Sequence, residues 1–352
     1  MLYAKEAVIL TVLILFGAFL RLYTIAFQCF WLEEAYTFKV ASMPLMQIIP
    51  YQLAHDWNPP LYFLVAHVFL AATNFSEVAI RYPSVMFGIL MIPLMYWLGV
   101  EYKDKLTGYY GAGITAVLFC FVYYSDYGRA YTMSFCAFIL VLIMYIRIKR
   151  GDLHTETFAV FGFLVALTAW IHLITIVPCG IMLIDLMFDY FRKGCLAAAI
   201  SAALISPLVY SIPATISVSG NFGYADKWWE ILLLIPFEFF NTLPFVFIAL
   251  TLFGAYRDKS GLGTTLLVIG LLTVIADIIG SFFIAIFPRY LLTVCIIMVM
   301  ISAATLAEIT QWIGKNSTRG IIPVIFILVI SLLFLAQNVD YIAHWTIQKY
   351  LC

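Results

Sequence analysis

Apolar runs long enough to cross a bilayer recur along this chain from residue 7 to residue 339. Inside hydrocarbon a backbone must satisfy its own N–H and C=O groups, so stretches of about 20 apolar residues fold as spanning helices. The expected fold class is therefore an all-α, polytopic integral membrane protein. Composition agrees: 64% of residues are hydrophobic and 11% charged, where a soluble domain carries about a quarter charged. The formal net charge of zero says nothing about nucleic acid, and no basic tract is present to argue for it as a partner.

The first run, residues 7–27, is too long for a signal-peptide core, lacks a small-residue cleavage site and carries Arg21, so it reads as a retained span. The seven cysteines are scattered, mostly through apolar segments, without CxxC or zinc spacing, and read as small core residues.

Lysine and arginine gather at 101–105 (EYKDK), 147–150 (RIKR), 191–194 (FRKG), 256–259 (YRDK) and 314–320 (GKNSTRG). The positive-inside rule makes these cytoplasmic loops. The stretch 28–77 and the later SDYGRAY, AWIH, SGNFGYADKWW and FPRY segments are then external. Between Glu33 outside and Lys103 inside, the chain must cross an odd number of times. Residues 59–73 are too short to span, so they are expected to form a helix lying in the external interface, and only the next run crosses.

Continuing the count places spans near 7–27, 79–100, 107–124, 130–147, 156–170, 173–191, 195–214, 231–256, 262–287, 290–312 and 320–338. That is about eleven crossings, with the N-terminus cytoplasmic and the C-terminal tail outside. Pro236 and Pro244 interrupt the eighth, whose first part is expected to be interfacial. Cys29 and Cys352 fall on one side in this topology, which permits a disulfide without arguing for one. No soluble domain or repeat appears, so residues 1–352 read as one transmembrane domain with interfacial helices in its first external loop, 28–78.

The polar residues left over concentrate on the external face: WLEEAYTF (31–38), HDWNPPLYF (55–63), SEVAIRYPS (76–84), YYSDYGRAYTM (123–133), WIH (170–172) and FPRYLL (287–292). Each has a bland account. Acids suit helix N-termini, Pro59 and Pro60 suit a first turn, Arg81, Arg129 and Arg289 can snorkel to headgroups, and Trp228 and Trp229 fit an aromatic belt. Convergence shifts the balance. Ionisable groups at membrane depth are costly unless paired or facing a wet cavity, and these come from distant segments to one face.

In order and spacing, WLEEAYTF, DWNPPLYF, SEVAIRYPS, YSDYGRAYTM and PRYLL resemble the GT-C superfamily of membrane glycosyltransferases. The branch they resemble holds protein O-mannosyltransferases and bacterial aminoarabinose transferases. The resemblance is densest over residues 1–135. It implies a polyprenyl-phosphate sugar donor and inverting transfer, outside the cytoplasm, to an acceptor hydroxyl on a lipid-linked, glycan or protein acceptor, among membrane lipids. The family's first external loop carries an Asp-Glu pair whose first acid is the base. Glu33 and Glu34 stand there, implying catalytic roles, although the first acid here is Glu. The family's Ser-Gln-Glu-Ala-Arg-x-Tyr segment is matched by Ser125-Asp126-Tyr127-Gly128-Arg129-Ala130-Tyr131, with the acid displaced. Substrate binding is implied for His55, Asp56, Asn58, Arg129, Tyr131, His172, Arg289 and Tyr290.

No ligand spacing demands a metal, yet Glu34, His55, Asp56 and His172 are residue types that hold a divalent cation. Two other function classes compete. A transporter or flippase for lipid-linked sugars predicts inverted repeats and midplane polar residues, for which Asp185 and Asp277 are the candidates. A non-catalytic scaffold has no use for the acid–arginine cluster. A nearer rival is an oligosaccharyltransferase, which DKWWE (226–230) faintly resembles.

Overall fold

The computed structural model describes residues 2–25, 30–56, 58–211, 213, 240, 243–282 and 288–316. Among these it is helical throughout its regular structure, with no strand. Helix α1 (Leu2–Thr24) leads into three short helices, α2 (Leu32–Ala41), α3 (Leu45–His55) and α4 (Leu61–Ala72). At 1.5 Å per residue these reach only about 15–18 Å, half the hydrocarbon thickness. Proline sets two of their starts, Pro44 before α3 and Pro60 before α4. Helix α4 buries Tyr62, Phe63, Ala66 and Leu70 and packs on α2. The first loop is thus a folded cap of short helices, as the shortness of the 59–73 run implies.

Seven helices follow: α5 (Tyr82–Tyr102), α6 (Lys105–Val117), α7 (Phe119–Ser125), α8 (Tyr131–Lys149), α9 (Thr155–Ile171), α10 (Ile176–Asp189) and α11 (Phe191–Ile205). After residue 240 come α12 (Pro244–Arg257), α13 (Leu262–Ser281) and α14 (Leu292–Asn316). Among the described residues, five helical segments are long and apolar enough to cross a membrane, and α6 with α7 makes a sixth as a pair bent by 56°. Helices lie at each expected crossing that the structure describes. The eleventh, 320–338, falls outside the described residues. So do the first part of the eighth, Trp228, Trp229, the DKWWE segment, Cys29 and Cys352.

Helix α5 packs between α6 and α8, while α14 lies against α6 and α12. Their shared interior holds Phe121, Phe135, Phe138, Tyr145, Phe158 and Phe161, all under 2% exposed. The bend at Leu118 has neither proline nor glycine at its apex, and breaking a helix there frees carbonyls of the last turn of α6. Arg21 of α1 satisfies them. Its Nη2 donates to Thr115 O (2.9 Å), Nη1 to Ala116 O (3.0 Å) and Nε to Ser125 Oγ (3.0 Å). Arg21 is fully buried. Gly88 on α5 makes room: a β-carbon there would sit 2.0 Å from Ser125 Oγ and 3.0 Å from Arg21 Nε. Ser125 in turn ends α7, and the loop that follows it to α8 carries part of the polar cluster.

Candidate active site

The two acids of WLEEAYTF open α2, where negative charge suits the dipole. Successive residues on a helix point about 100° apart, and the pair divides accordingly. Glu34 faces inward and is fully buried. Arg81, in the single-turn helix Glu77–Arg81 before α5, donates from Nε to Glu34 Oε1 (2.8 Å) and from Nη2 to Oε2 (2.7 Å). Two backbone N–H groups complete the set, Gly128 to Oε1 (2.8 Å) and Trp31 to Oε2 (3.2 Å). A side chain at Gly128 would crowd this carboxylate, with its β-carbon 3.2 Å from Oε1. Every oxygen of Glu34 is engaged, so it has no face for a substrate. The sequence reading gave it a share in the chemistry; the geometry gives it the joining of α2, α5 and the α7–α8 loop.

Glu33 points the other way and keeps 32% of its side chain exposed. Arg289, in the turn Pro288–Leu291 that precedes α14, donates from Nη2 to its Oε1 at 2.7 Å. Tyr127 donates to Oε2 at 3.2 Å, and Arg129 Nε lies 3.8 Å from the same oxygen. Arg129 also reaches Thr37 Oγ1 (3.2 Å) and Asn58 Oδ1 (3.3 Å), and Asn58 Nδ2 bonds both oxygens of Asp56 (3.1 and 3.0 Å). One network therefore joins Glu33, Asp56, Asn58, Arg129 and Arg289.

An aromatic wall backs it. The Tyr131 ring lies 5.7 Å from His172, which lies 5.7 Å from Tyr290, while Tyr127 stacks on Tyr131 at 6.2 Å. A cavity of about 270 Å³ opens beside the network, lined by Trp31, Phe119, Cys120, Tyr123, Tyr124, Tyr127 and Arg289. Its end wall is α7, so the 56° bend shapes it.

Electrostatics fixes several protonation states. Burial, then the charges of Arg129 and Arg289, push the His172 imidazole down to about 3; it is a neutral ring at physiological pH. Burial, then neighbouring Glu33, hold the Tyr127 hydroxyl above its usual value, so it remains a donor. Burial lowers the Arg129 guanidinium, but Tyr131, Glu33 and Asp56 more than offset this and leave it above the ordinary arginine value.

Of the residues singled out from sequence, His55 stays apart. It is exposed, bonded to Tyr51 O of its own helix (2.9 Å) and stacked on the Tyr51 ring at 4.5 Å. The candidate cation set does not assemble either: Glu34 is enclosed by Arg81, and no three His, Cys, Asp or Glu side chains stand together among the described residues. Arg81 and Tyr127 were not among the sequence candidates. An arginine facing a carboxylate from a distant external segment was the available signal for Arg81, and a tyrosine beside the Arg129 motif was the signal for Tyr127.

Neither a protein-family model nor a curated protein matches this sequence. Solved structures match its fold. ArnT from Cupriavidus metallidurans in the apo state superposes with a TM-score of 0.59 at 12% identity, over 79% of this chain and 56% of that one. The same protein bound to undecaprenyl phosphate gives 0.59 at 12%, over 99% and 72%. The archaeal oligosaccharyltransferase AglB from Archaeoglobus fulgidus, in complex with an inhibitory peptide and a dolichol-phosphate, gives 0.63 at 13%, over 95% and 56%. The chain thus spans little more than half the length of the apo ArnT and AglB chains. At such identities the likeness is one of fold, and the fold is that of the GT-C glycosyltransferases which the motifs resemble.

Proposed function

We propose that this integral membrane protein is a glycosyltransferase that moves a sugar from a polyprenyl-phosphate donor to an acceptor hydroxyl, with inversion, on the extracytoplasmic face. One observation carries the reading. Glu33 is 32% exposed within the cluster, whereas Glu34 and Asp126 are fully buried and Asp56 is 7% exposed. Only Glu33, among these acids, combines an accessible carboxylate with partners, Tyr127 and Arg289, that line the cavity. The neighbouring folds support the donor class, since ArnT was solved with undecaprenyl phosphate and AglB with a dolichol-phosphate.

In this reading Glu33 removes the proton of the acceptor hydroxyl as that oxygen attacks the anomeric carbon. The bond from the anomeric carbon to the phosphate oxygen breaks, and the lipid phosphate departs with the electron pair. Arg289 lies within reach of both roles. It rests on Glu33 Oε1, and a donor phosphate competes for the same guanidinium, because charge-assisted bonds to phosphate are among the strongest it can make. Donor binding then draws Arg289 to the leaving group and frees the carboxylate for the acceptor. Asp56, Asn58, Arg129 and the Tyr131–His172–Tyr290 wall position the sugar. Glu34 contributes by holding α2 against α5.

A flippase for lipid-linked sugars would line the bilayer midplane with polar groups. Asp185 instead pairs with Lys149 (2.8 Å) at the far end of the bundle, and Asp277 lies one turn from the end of α13. The test is direct. Purified protein is incubated with a panel of polyprenyl-phosphate sugars, and lipid and peptide products are followed by mass spectrometry. Release of free polyprenyl phosphate that depends on acceptor is expected; no turnover with any donor removes the proposal.

A further inference from the structure

The end of the bundle opposite Glu33 carries a second recess that the transfer chemistry does not use. Helices α5 and α8 begin at the acid–arginine cluster and run 21 and 19 residues to it, about 30 Å at 1.5 Å per residue. The recess measures about 300 Å³ and is bordered by Lys103, Arg150, Arg257, Lys259, Asp258 and Glu308. Its cations come from the ends of α5, α8 and α12, three separate helices.

Basic residues at helix C-termini have an ordinary use as partners for the last carbonyls, and Arg150 does donate to Tyr102 O. That use leaves the charge unbalanced. Glu308 serves two cations at once, Lys103 at 2.5 Å and Arg257 at 3.9 Å. Asp258 is spent on the start of α13, accepting from Gly263 N (2.6 Å), Ser260 N (2.9 Å) and Ser260 Oγ (2.7 Å). Among the described residues no carboxylate comes within 4 Å of Arg150 or Lys259, and Arg150 acts only at longer range on Glu101, which Arg147 holds. Four cations thus face two carboxylates, one of them already enclosed by backbone donors. Like charges held around a concave recess focus a positive potential within it.

We propose that this recess is a binding site for a phosphate-bearing anion, of the kind presented by an anionic phospholipid headgroup. Basic pockets between spanning helices are the usual setting for such headgroups, and a tetrahedral phosphate accepts from several cations that do not share a plane. The position fits a lipid source, since Lys103, Arg150, Arg257 and Lys259 lie at or just past the ends of apolar helices. A soluble phosphate would be held by the same groups.

The test uses the full chain in nanodiscs of phosphatidylcholine with or without phosphatidylglycerol, read by native mass spectrometry. Arg257→Gln/Lys259→Gln removes two exposed cations of the recess. Arg192→Gln/Lys193→Gln removes the same charge from α11, outside it. Wild type and the α11 variant should retain phosphatidylglycerol over phosphatidylcholine, and the recess variant should lose about thirtyfold in that preference, the worth of two cations near a lipid surface. A parallel titration with inorganic phosphate in pure phosphatidylcholine discs, followed by ³¹P NMR, identifies the source. Saturable binding there, lost in the recess variant alone, supports the site with a soluble ligand. Equal retention of both lipids by wild type without phosphate binding, or equal losses in the two variants, overturns the proposal. Unchanged melting of the recess variant excludes misfolding as the cause.

Discussion

The guanidinium of Arg81 grips the carboxylate of Glu34 through bonds of 2.8 and 2.7 Å, with the two side chains 3% and 0% exposed. Glu33, one residue earlier, stays 32% exposed and bonds Tyr127 and Arg289, which line the cavity. Two neighbouring acids thereby do different work, and substitution separates them. Glu34→Gln leaves a buried guanidinium without its counter-charge, which costs about 3–5 kcal/mol. The expected result is a lower melting temperature and poor yield from the membrane, measured by thermal unfolding in detergent. A variant with wild-type melting would show that Glu34 is not the brace of this loop.

Glu33→Gln keeps size and hydrogen bonding but removes the proton acceptor. Turnover should fall about a hundredfold or more, the usual worth of a positioned base, with melting unchanged. Glu33→Asp should retain partial activity. Single-turnover assays with a labelled donor measure both; normal turnover in the glutamine variant would assign the proton transfer elsewhere.

Arg289→Ala should lower kcat/KM for the donor by about two to three orders of magnitude, the range for losing one charge-stabilising donor. Lysine should rescue in part, supplying charge without the planar fork. Donor kinetics close to wild type in the alanine variant would make Arg289 a headgroup anchor.

His172 sets an acid limit. Its imidazole is lowered from 6.5 to about 3 by burial and by Arg129 and Arg289, so between those values the unfolded chain binds a proton that the folded chain refuses. Stability therefore rises with pH across that window and falls as the solution is acidified from 6.5 towards 3. His172→Phe keeps the ring between Tyr131 and Tyr290 and should flatten this dependence in melting curves from pH 7 to 4. An unchanged slope would place the acid sensitivity on other groups.

Orientation follows from reactivity in intact cells. Glu77→Cys, at the Glu33 end, should label with a membrane-impermeant maleimide, and His154→Cys, just after α8, should not. The reverse pattern would invert the topology.

Much of the architecture was written in the one-dimensional pattern. The 59–73 run was too short to cross and became α4, and the lysines and arginines at 101–105 and 147–150 fall at the ends of α5 and α8. What stayed hidden depended on direction and distance. Glu33 and Glu34 are identical in chemistry, and only the turn of α2 decides which meets Arg81, 47 residues away. The bend at Leu118 has no proline or glycine to announce it, and the side chain that satisfies its freed carbonyls lies in another helix. His55, read as a substrate ligand with its neighbours Asp56 and Asn58, turns outward because its ring stacks on Tyr51 one helical turn earlier.

Arg21 also places a constraint on how the protein is made. Its partners Thr115, Ala116 and Ser125 lie 94, 95 and 104 residues later in the chain. At about 5–20 residues per second, α1 emerges from the ribosome roughly 5–20 seconds before they exist. Over that interval the charge has the Gly17 carbonyl of its own helix, together with water and headgroups that a long side chain near the end of α1 can reach. Helix α1 can settle to its final depth only when α6 and α7 arrive. Helix α1 is thus locked in place only by partners that follow it far along the chain.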